Sequence, residues 1–314
     1  MKVYDYPNVD LPEGSRPVVT LGNFDGVHRG HQRAMALLTE RARDLHVPAV
    51  AVTFEPHPVS VLRPEQAPER ILTPALKVEL LAEQRIDLLV VIHFTPDFSL
   101  IEPEAFVEDV LVEKLRASEL VLGGNFRFGR GRAGDLERLR ALGERFGFIV
   151  HEVEASSHRG SMISSSRIRE TLADGDVEEA ASMLGRPFFL TGTVVAGDGR
   201  GKPMGFPTAN IETTCDILVG DGVFVTEAQV DGKMVHGMTH VGRRPTFGLD
   251  ERTVETHLFD FDTDIYGAET RLYFHRRVRG TVAFGSAEQL KEQLERDREQ
   301  AQRFFRARGR NLVL

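Results

Sequence analysis

The sequence predicts two modules of different class: an α/β half built on a parallel sheet, then a β half that ends in a helix. Two observations carry this. Apolar runs alternate with helical patterns up to about residue 150, and from about 187 short β-rich runs among Pro, Gly and Thr take over. The length agrees, because 314 residues leave room for about two domains of ~150.

In the first half the apolar runs are 18–21, 50–54, 88–94, 120–122 and 148–153. Between the first two, Ala34, Leu37, Leu38, Ala42 and Leu45 fall on one face of a 3.6-residue period, which predicts a helix over 32–45. Segments 75–85, 104–115 and 135–146 read as helices on the same ground. Strand, helix, strand in repetition predicts a parallel sheet covered on both faces. Such sheets bind ligands at the carboxyl ends of their strands.

In the second half the runs 191–196, 222–229, 234–241, 253–261 and 270–277 predict an antiparallel barrel or sandwich. Asp231-Gly232 carries the signature of a tight hairpin. Ser286 and Gln289 make a capping box for a last helix, with Leu290, Leu294, Ala301 and Phe304 turned to the barrel. The boundary is set near 182–187, which gives domains 1–184 and 185–314.

Composition narrows the function. Hydrophobic and charged residues make up 41% and 27%, as in ordinary soluble proteins. A net charge of −8 argues against a nucleic-acid partner, which would want a basic surface. No apolar run approaches the ~20 residues of a membrane span. The first 17 residues have no apolar core of a secretion signal, and Cys215 is the only cysteine, which suits a reducing compartment. The expectation is a cytoplasmic protein acting on small molecules, compatible with a weak homo-oligomer.

Two constellations carry chemistry. In the first, strand 18–21 runs into Gly22-Asn23-Phe24-Asp25-Gly26-Val27-His28-Arg29-Gly30-His31 and then directly into a helix. Glycines admit close backbone approach, and a helix N-terminus supplies unpaired N–H groups for an anion. His28 and His31 can reach the same anion. Ser164-Ser165-Ser166-Arg167 makes a second phosphate cradle at another helix start. Two cradles suit a reaction that splits ATP between its α and β phosphates. A His-x-x-His pair could instead be half of a metal site, but zinc would want Cys or a further clustered ligand. His57, in Phe54-Glu55-Pro56-His57-Pro58, is read as shaping the loop after the second apolar run.

In the second constellation Gly197, Gly199, Gly201 and Gly205 surround Arg200 and Lys202 in a loop suited to phosphates. Behind it stands Pro207-Thr208-Ala209-Asn210, whose Thr208 and Asn210 oxygens suit Mg²⁺. A kinase also needs a base near the accepting hydroxyl, and Glu255 in run 253–261 is the candidate.

The motifs Gly-x-Phe-Asp-Gly-x-His-x-Gly-His and Ser-Ser-x-Arg-Ile-Arg resemble the HxGH nucleotidyltransferase superfamily. With Phe54–Pro58 and Asn125-Phe126-Arg127-Phe128-Gly129, the first half looks like the adenylyltransferase module of bacterial bifunctional riboflavin kinase/FAD synthetases. Val254-Glu255-Thr256-His257-Leu258-Phe259-Asp260-Phe261 and Gly242-Arg243-Arg244-Pro245-Thr246-Phe247 resemble the kinase module. The resemblance implies a Rossmann-like nucleotidyltransferase domain and a six-stranded antiparallel β-barrel with a C-terminal helix. It also implies that riboflavin is phosphorylated to FMN and FMN adenylylated to FAD, with ATP and Mg²⁺.

By that resemblance Gly22, Phe24, Asp25, Ser164 and Arg167 belong to the ATP site of the adenylyltransferase, with His28 and His31 as catalytic groups. Asn125, Phe126, Arg127 and Phe128 serve flavin and nucleotide. Gly199, Arg200, Lys202, Gly205, Thr208 and Asn210 serve ATP in the kinase, with Thr208 and Asn210 on the metal and Glu255 as the catalytic base. The chain departs from the family pattern at Gly124-Asn125, at Ser166 and at His240, where Asn is expected. The rival readings are a riboflavin kinase with a degenerate first module, a flavin-binding protein without turnover, and an HxGH enzyme acting on pantetheine phosphate or nicotinate mononucleotide.

Overall fold

The computed structural model describes residues 1–197, 201–216, 219–243 and 252–310. The chain forms two compact units, Met1–Ser165 and Ser166–Leu314.

The first unit carries a parallel sheet of strands β1 (Lys2–Asp5), β2 (Val18–Leu21), β3 (Ala49–Glu55), β4 (Leu88–His93), β5 (Glu119–Gly123) and β6 (Ile149–Val153), in the order β1-β4-β3-β2-β5-β6. Every pairing is parallel. The order reverses between β2 and β5, so the ligand crevice of an open α/β sheet lies where β2 ends. The central strands bury both faces, with Val19, Val50, Val90 and Leu120 on one side and Val18, Ala51, Leu89 and Val121 on the other at 0% exposure.

Helix α1 (Arg29–Leu45) turns Ala34, Met35, Leu38 and Ala42 inward. Leu45, expected on that face, is exposed because the chain leaves the helix at His46 in a left-handed conformation. Helices α2 (Pro58–Leu62) and α3 (Pro74–Ala82) follow β3. The helix expected over 104–115 begins as α4 (Pro103–Phe106) and continues as a π-helix, Val107–Lys114, which keeps Val107, Val110 and Leu111 buried. Helix α5 (Leu136–Phe146) starts on an Asp135 cap and stops at Gly147, whose φ of 79° needs no Cβ. A short hairpin, β7 (Ser157–His158) and β8 (Ser161–Met162), precedes α6 (Ser165–Ala173).

In the second unit helix α7 (Val177–Leu184) packs on β9 (Phe188–Val195) and β14 (Glu269–Arg279). Together with β10 (Ala209–Thr213), β11 (Gly222–Val230), β12 (Lys233–Arg243) and β13 (Arg252–Leu258) these close an antiparallel barrel, β10-β13-β12-β11-β14-β9. Val230 pairs with Lys233 across the expected Asp231-Gly232 turn, both of whose residues have positive φ. Phe224, Phe274 and Leu272 are among the fully buried residues of the unit. Thr226, Thr239 and Thr256 are buried too, and a hydroxyl chain of 2.7 and 2.9 Å satisfies them.

Helix α8 (Ala287–Arg310) starts where expected. Ser286 Oγ accepts from Gln289 N, while Gln289 Oε1 accepts from Gly285 N rather than from Ser286, so the box is shifted by one residue. The helix buries Ala301 and Phe305, with Leu294 and Phe304 packed beside them. Asp297 is also buried, and its partner is Arg279 of β14 at 2.9 Å.

Candidate active sites

The first site is built where β2 ends. Gly22 is required there, because a Cβ would lie 2.8 Å from the Phe24 ring. Phe24 takes a φ of 50°, is buried, and stands edge-on to His31 with centroids 5.4 Å apart. His28 caps α1, and its Nδ1 accepts the His31 amide N–H at 3.3 Å. With Nδ1 accepting, the neutral imidazole carries its proton on Nε2 and presents a donor. The two rings stack 3.6 Å apart at 16°. Burial pushes His31 well below the ordinary imidazole range and His28 adds to the shift, and the His31 Nδ1 is buried without a hydrogen-bond partner. These groups stand at the start of a 17-residue helix, where the backbone favours an anion.

Asp25 does not reach into this space as an open carboxylate. Its oxygens accept from Ile71 N at 3.1 Å and Leu72 N at 3.2 Å, which ties the segment before α3 to the histidine loop. Ser165 Oγ donates to Asp25 O at 2.9 Å, so the serine run adjoins the histidine loop within the first unit. Ser164 falls in the first unit and Arg167 in the second, where Glu179 holds the guanidinium at 2.8 Å. His57 Nδ1 accepts from Val59 N, which caps α2, and His57 Nε2 lies 3.1 Å from the Asn23 amide.

Beyond β5 the segment Asn125–Gly129 stands on the same edge of the sheet. Asn125 and Arg127 are exposed, Phe126 is half-buried and Phe128 is buried. Phe126 stacks on Phe128 at 5.7 Å, and the row continues through Phe106, Phe98, Phe94 and Phe54 with centroids 5.8 to 6.4 Å apart. Sequence reasoning missed this row, because its rings come from four separate loops and elements. Beyond the Phe126–Phe128 stack the rings meet tilted or edge to face, and Phe106 and Phe128 are buried, so Phe126 is the half-buried end of an apolar row. At the departure Gly124, a Cβ would meet the Glu152 carboxylate at 2.6 Å, and Arg140 holds that carboxylate at 2.7 Å.

The second site lies on the outer face of the barrel. Asn210 of β10 is opposite Glu255 of β13, and Glu255 is in turn opposite His240 of β12. Asn210 is buried against Gly197, where any Cβ would overlap its amide. His257 Nδ1 lies 2.8 Å from Pro207 O, fixing the loop that carries Thr208 to β13. Burial pushes His257 below the ordinary range and the Pro207 carbonyl pulls it back, so a neutral ring donating from Nδ1 fits. Lys202 opens a short 3₁₀ turn that Gly205 closes with a φ of 84°. Gly199, Arg200 and residues 244–247 lie outside the described residues.

Asn210 brings an amide oxygen to the strand position opposite Glu255, and Thr208 carries a hydroxyl two residues before it. Hard oxygens of this kind fit Mg²⁺, which takes its remaining ligands from water and phosphate.

Comparisons agree with this division. The FAD synthetase family model matches residues 11–167 and the riboflavin kinase family model matches 184–305. A bifunctional riboflavin kinase/FMN adenylyltransferase of Escherichia coli K12 is 36% identical over 92% of this chain and 92% of its own length. That of Bacillus subtilis is 33% identical, over 93% and 94%. A crystal structure described as a macrolide-efflux protein from Streptococcus pneumoniae superposes with a TM-score of 0.87 at 31% identity, covering 96% of this chain and 99% of that one. Among the described residues no helix is long and apolar enough to cross a membrane.

Proposed function

The chain belongs to the bifunctional riboflavin kinase/FMN adenylyltransferase family, and from that premise we propose how its residues perform the two reactions. The barrel unit phosphorylates riboflavin to FMN with ATP. The sheet unit transfers AMP from a second ATP to FMN, giving FAD and pyrophosphate.

In the kinase step the Glu255 carboxylate takes the proton of the ribityl 5′-hydroxyl as that oxygen attacks the γ-phosphorus and ADP leaves. Thr208 and Asn210 would hold Mg²⁺, which when bound neutralises charge on the β and γ phosphates. Lys202, with Arg200 of the same loop, offsets the remaining charge. The single observation that carries the assignment is the register placing Asn210 directly opposite Glu255 on neighbouring strands. Cross-strand partners lie with Cβ atoms about 4.5–5.5 Å apart, close enough for a metal-bound phosphate and the base to share one site.

In the adenylyl step a phosphate oxygen of FMN attacks the α-phosphorus, and the bond to the β-phosphate breaks. His28 donates from Nε2 to the α-phosphate oxygens, and His31 and the first turn of α1 add donors where charge develops. No covalent enzyme intermediate is needed. Ser164 and Arg167 take the departing pyrophosphate, and the aromatic row ending at Phe126 receives the flavin ring. Asp25 acts from behind, by holding the loop.

The functional boundary is placed at 184/185. Small molecules are the partners, nucleic acid is not, and the lone cysteine supports a cytoplasmic setting. The test is Glu255→Gln: FMN formation from riboflavin should fall by roughly 10²–10⁴-fold, while FAD formation from supplied FMN continues. FMN formation at the wild-type rate would remove Glu255 from the base role.

A further inference from the structure

His240 stands where the family pattern has Asn, directly opposite Glu255 in the β12–β13 ladder. Its ring folds over Gly242, with Cε1 and Nε2 2.8 and 2.9 Å from the place a Cβ would take, so only glycine at 242 leaves the imidazole this position. On the other side, Val223 of β11 is opposite both His240 and Arg279. The row across the barrel therefore runs Asn210, Glu255, His240, Val223, Arg279, and Asp297 neutralises the last cation. His240 and Val223 separate the Glu255 carboxylate from the Arg279 guanidinium.

We propose that His240 is a positioning residue for Glu255, holding its carboxylate toward the flavin hydroxyl and apart from Arg279. The proposal rests on the kinase reading above. A base in an ion pair with arginine would be a weak one, because the cation stabilises its charged form. A neutral polar group beside the base orients it without that loss. Burial pushes the His240 imidazole below its ordinary range and Arg279 acts in the same direction, while the Glu255 and Asp221 carboxylates pull it back. The ring is accordingly an uncharged neighbour near pH 7.

The test is steady-state riboflavin phosphorylation by the full chain. His240→Ala and His240→Leu, the latter keeping the bulk over Gly242, should each lower kcat about tenfold. The KM for riboflavin should stay within about twofold of wild type, since ground-state binding is untouched. His240→Asn, polar and unable to titrate, should recover most of the loss. Glu255→Gln is measured in parallel. If it loses FMN formation while both apolar variants keep the wild-type kcat, positioning by His240 is overturned and the kinase reading stands. If Glu255→Gln is itself fully active, the base assignment fails and this proposal with it. An asparagine variant as slow as the leucine variant would also overturn the proposal, because orientation by a polar neighbour would then not be what His240 supplies.

Discussion

Replacing Asp297 by alanine is expected to destabilise the barrel unit by about 3 kcal/mol. The Asp297 side chain is 0% exposed and that of Arg279 is 18% exposed. The carboxylate accepts from Arg279 Nε at 2.9 Å, also meets its terminal nitrogen at 2.9 Å, and takes a third bond from Gln293 at 2.8 Å. Removing one member of a buried pair costs about 3–5 kcal/mol, because it leaves the other charge uncompensated. The residual exposure of Arg279 lets water reach the guanidinium, which places the loss at the lower end. That is over a hundredfold in the folding equilibrium, at about 1.4 kcal/mol per tenfold. Arg279→Met combined with Asp297→Leu replaces the pair by apolar bulk and should fall within about 1 kcal/mol of wild type. Urea unfolding by circular dichroism, with riboflavin phosphorylation as reporter of the barrel unit, reads both variants. A single variant costing less than about 1 kcal/mol, or a double variant as costly as the single, would refute the reasoning.

Alanine at His28 or His31 should lower FAD formation by roughly 10²–10³-fold and leave FMN formation alone. Chromatography of the flavins checks both, and a parallel loss of FMN would contradict the division of labour. His31 has a folded-state pKa well below the ordinary imidazole value, so below about 6.5 the unfolded chain binds the extra proton and the folded one resists it. Stability of the sheet unit should therefore be fully present above about pH 6.5 and be lost as pH falls below it. A His31→Gln variant should show a flatter dependence of the urea midpoint between about pH 7.5 and about pH 5.5, and an unchanged slope would count against the assignment. Thr239→Val breaks the buried hydroxyl chain at its middle and should cost the barrel about 1–3 kcal/mol by urea unfolding. A neutral substitution there would mean that the chain is not a stabilising network.

The parallel sheet was legible wherever a strand buries both faces, as at 18–21 and 50–54, because runs that are apolar but for Thr20 and Thr53, short and alternating with helical patterns, fit strands covered on both sides. Strand β1 escaped notice for the opposite reason. It lies at the sheet edge with Lys2, Val3 and Asp5 exposed, and so carries no apolar run. The apolar positions of 104–115 predict a helix but do not tell 3.6 residues per turn from the wider π winding, since Val107, Val110 and Leu111 are buried in either. Phe305 and Asp297 were not foreseen on α8. Nothing local marks an Asp in a charge-rich helix as buried when its partner, Arg279, is 18 residues away. Of the sites, the strand–glycine–histidine–helix order was readable because each residue type has a local reason to be there. The alignment of Asn210, Glu255 and His240 was not, because it depends on the register with which three strands of a barrel meet.

The most direct test of the two-step account is a time course of the purified chain with riboflavin, ATP and Mg²⁺, the flavins being separated as they form. The account predicts that FMN appears first and FAD follows at its expense. FMN that accumulates without FAD would contradict the adenylyltransferase assignment, and folded protein that phosphorylates no flavin would contradict the account as a whole.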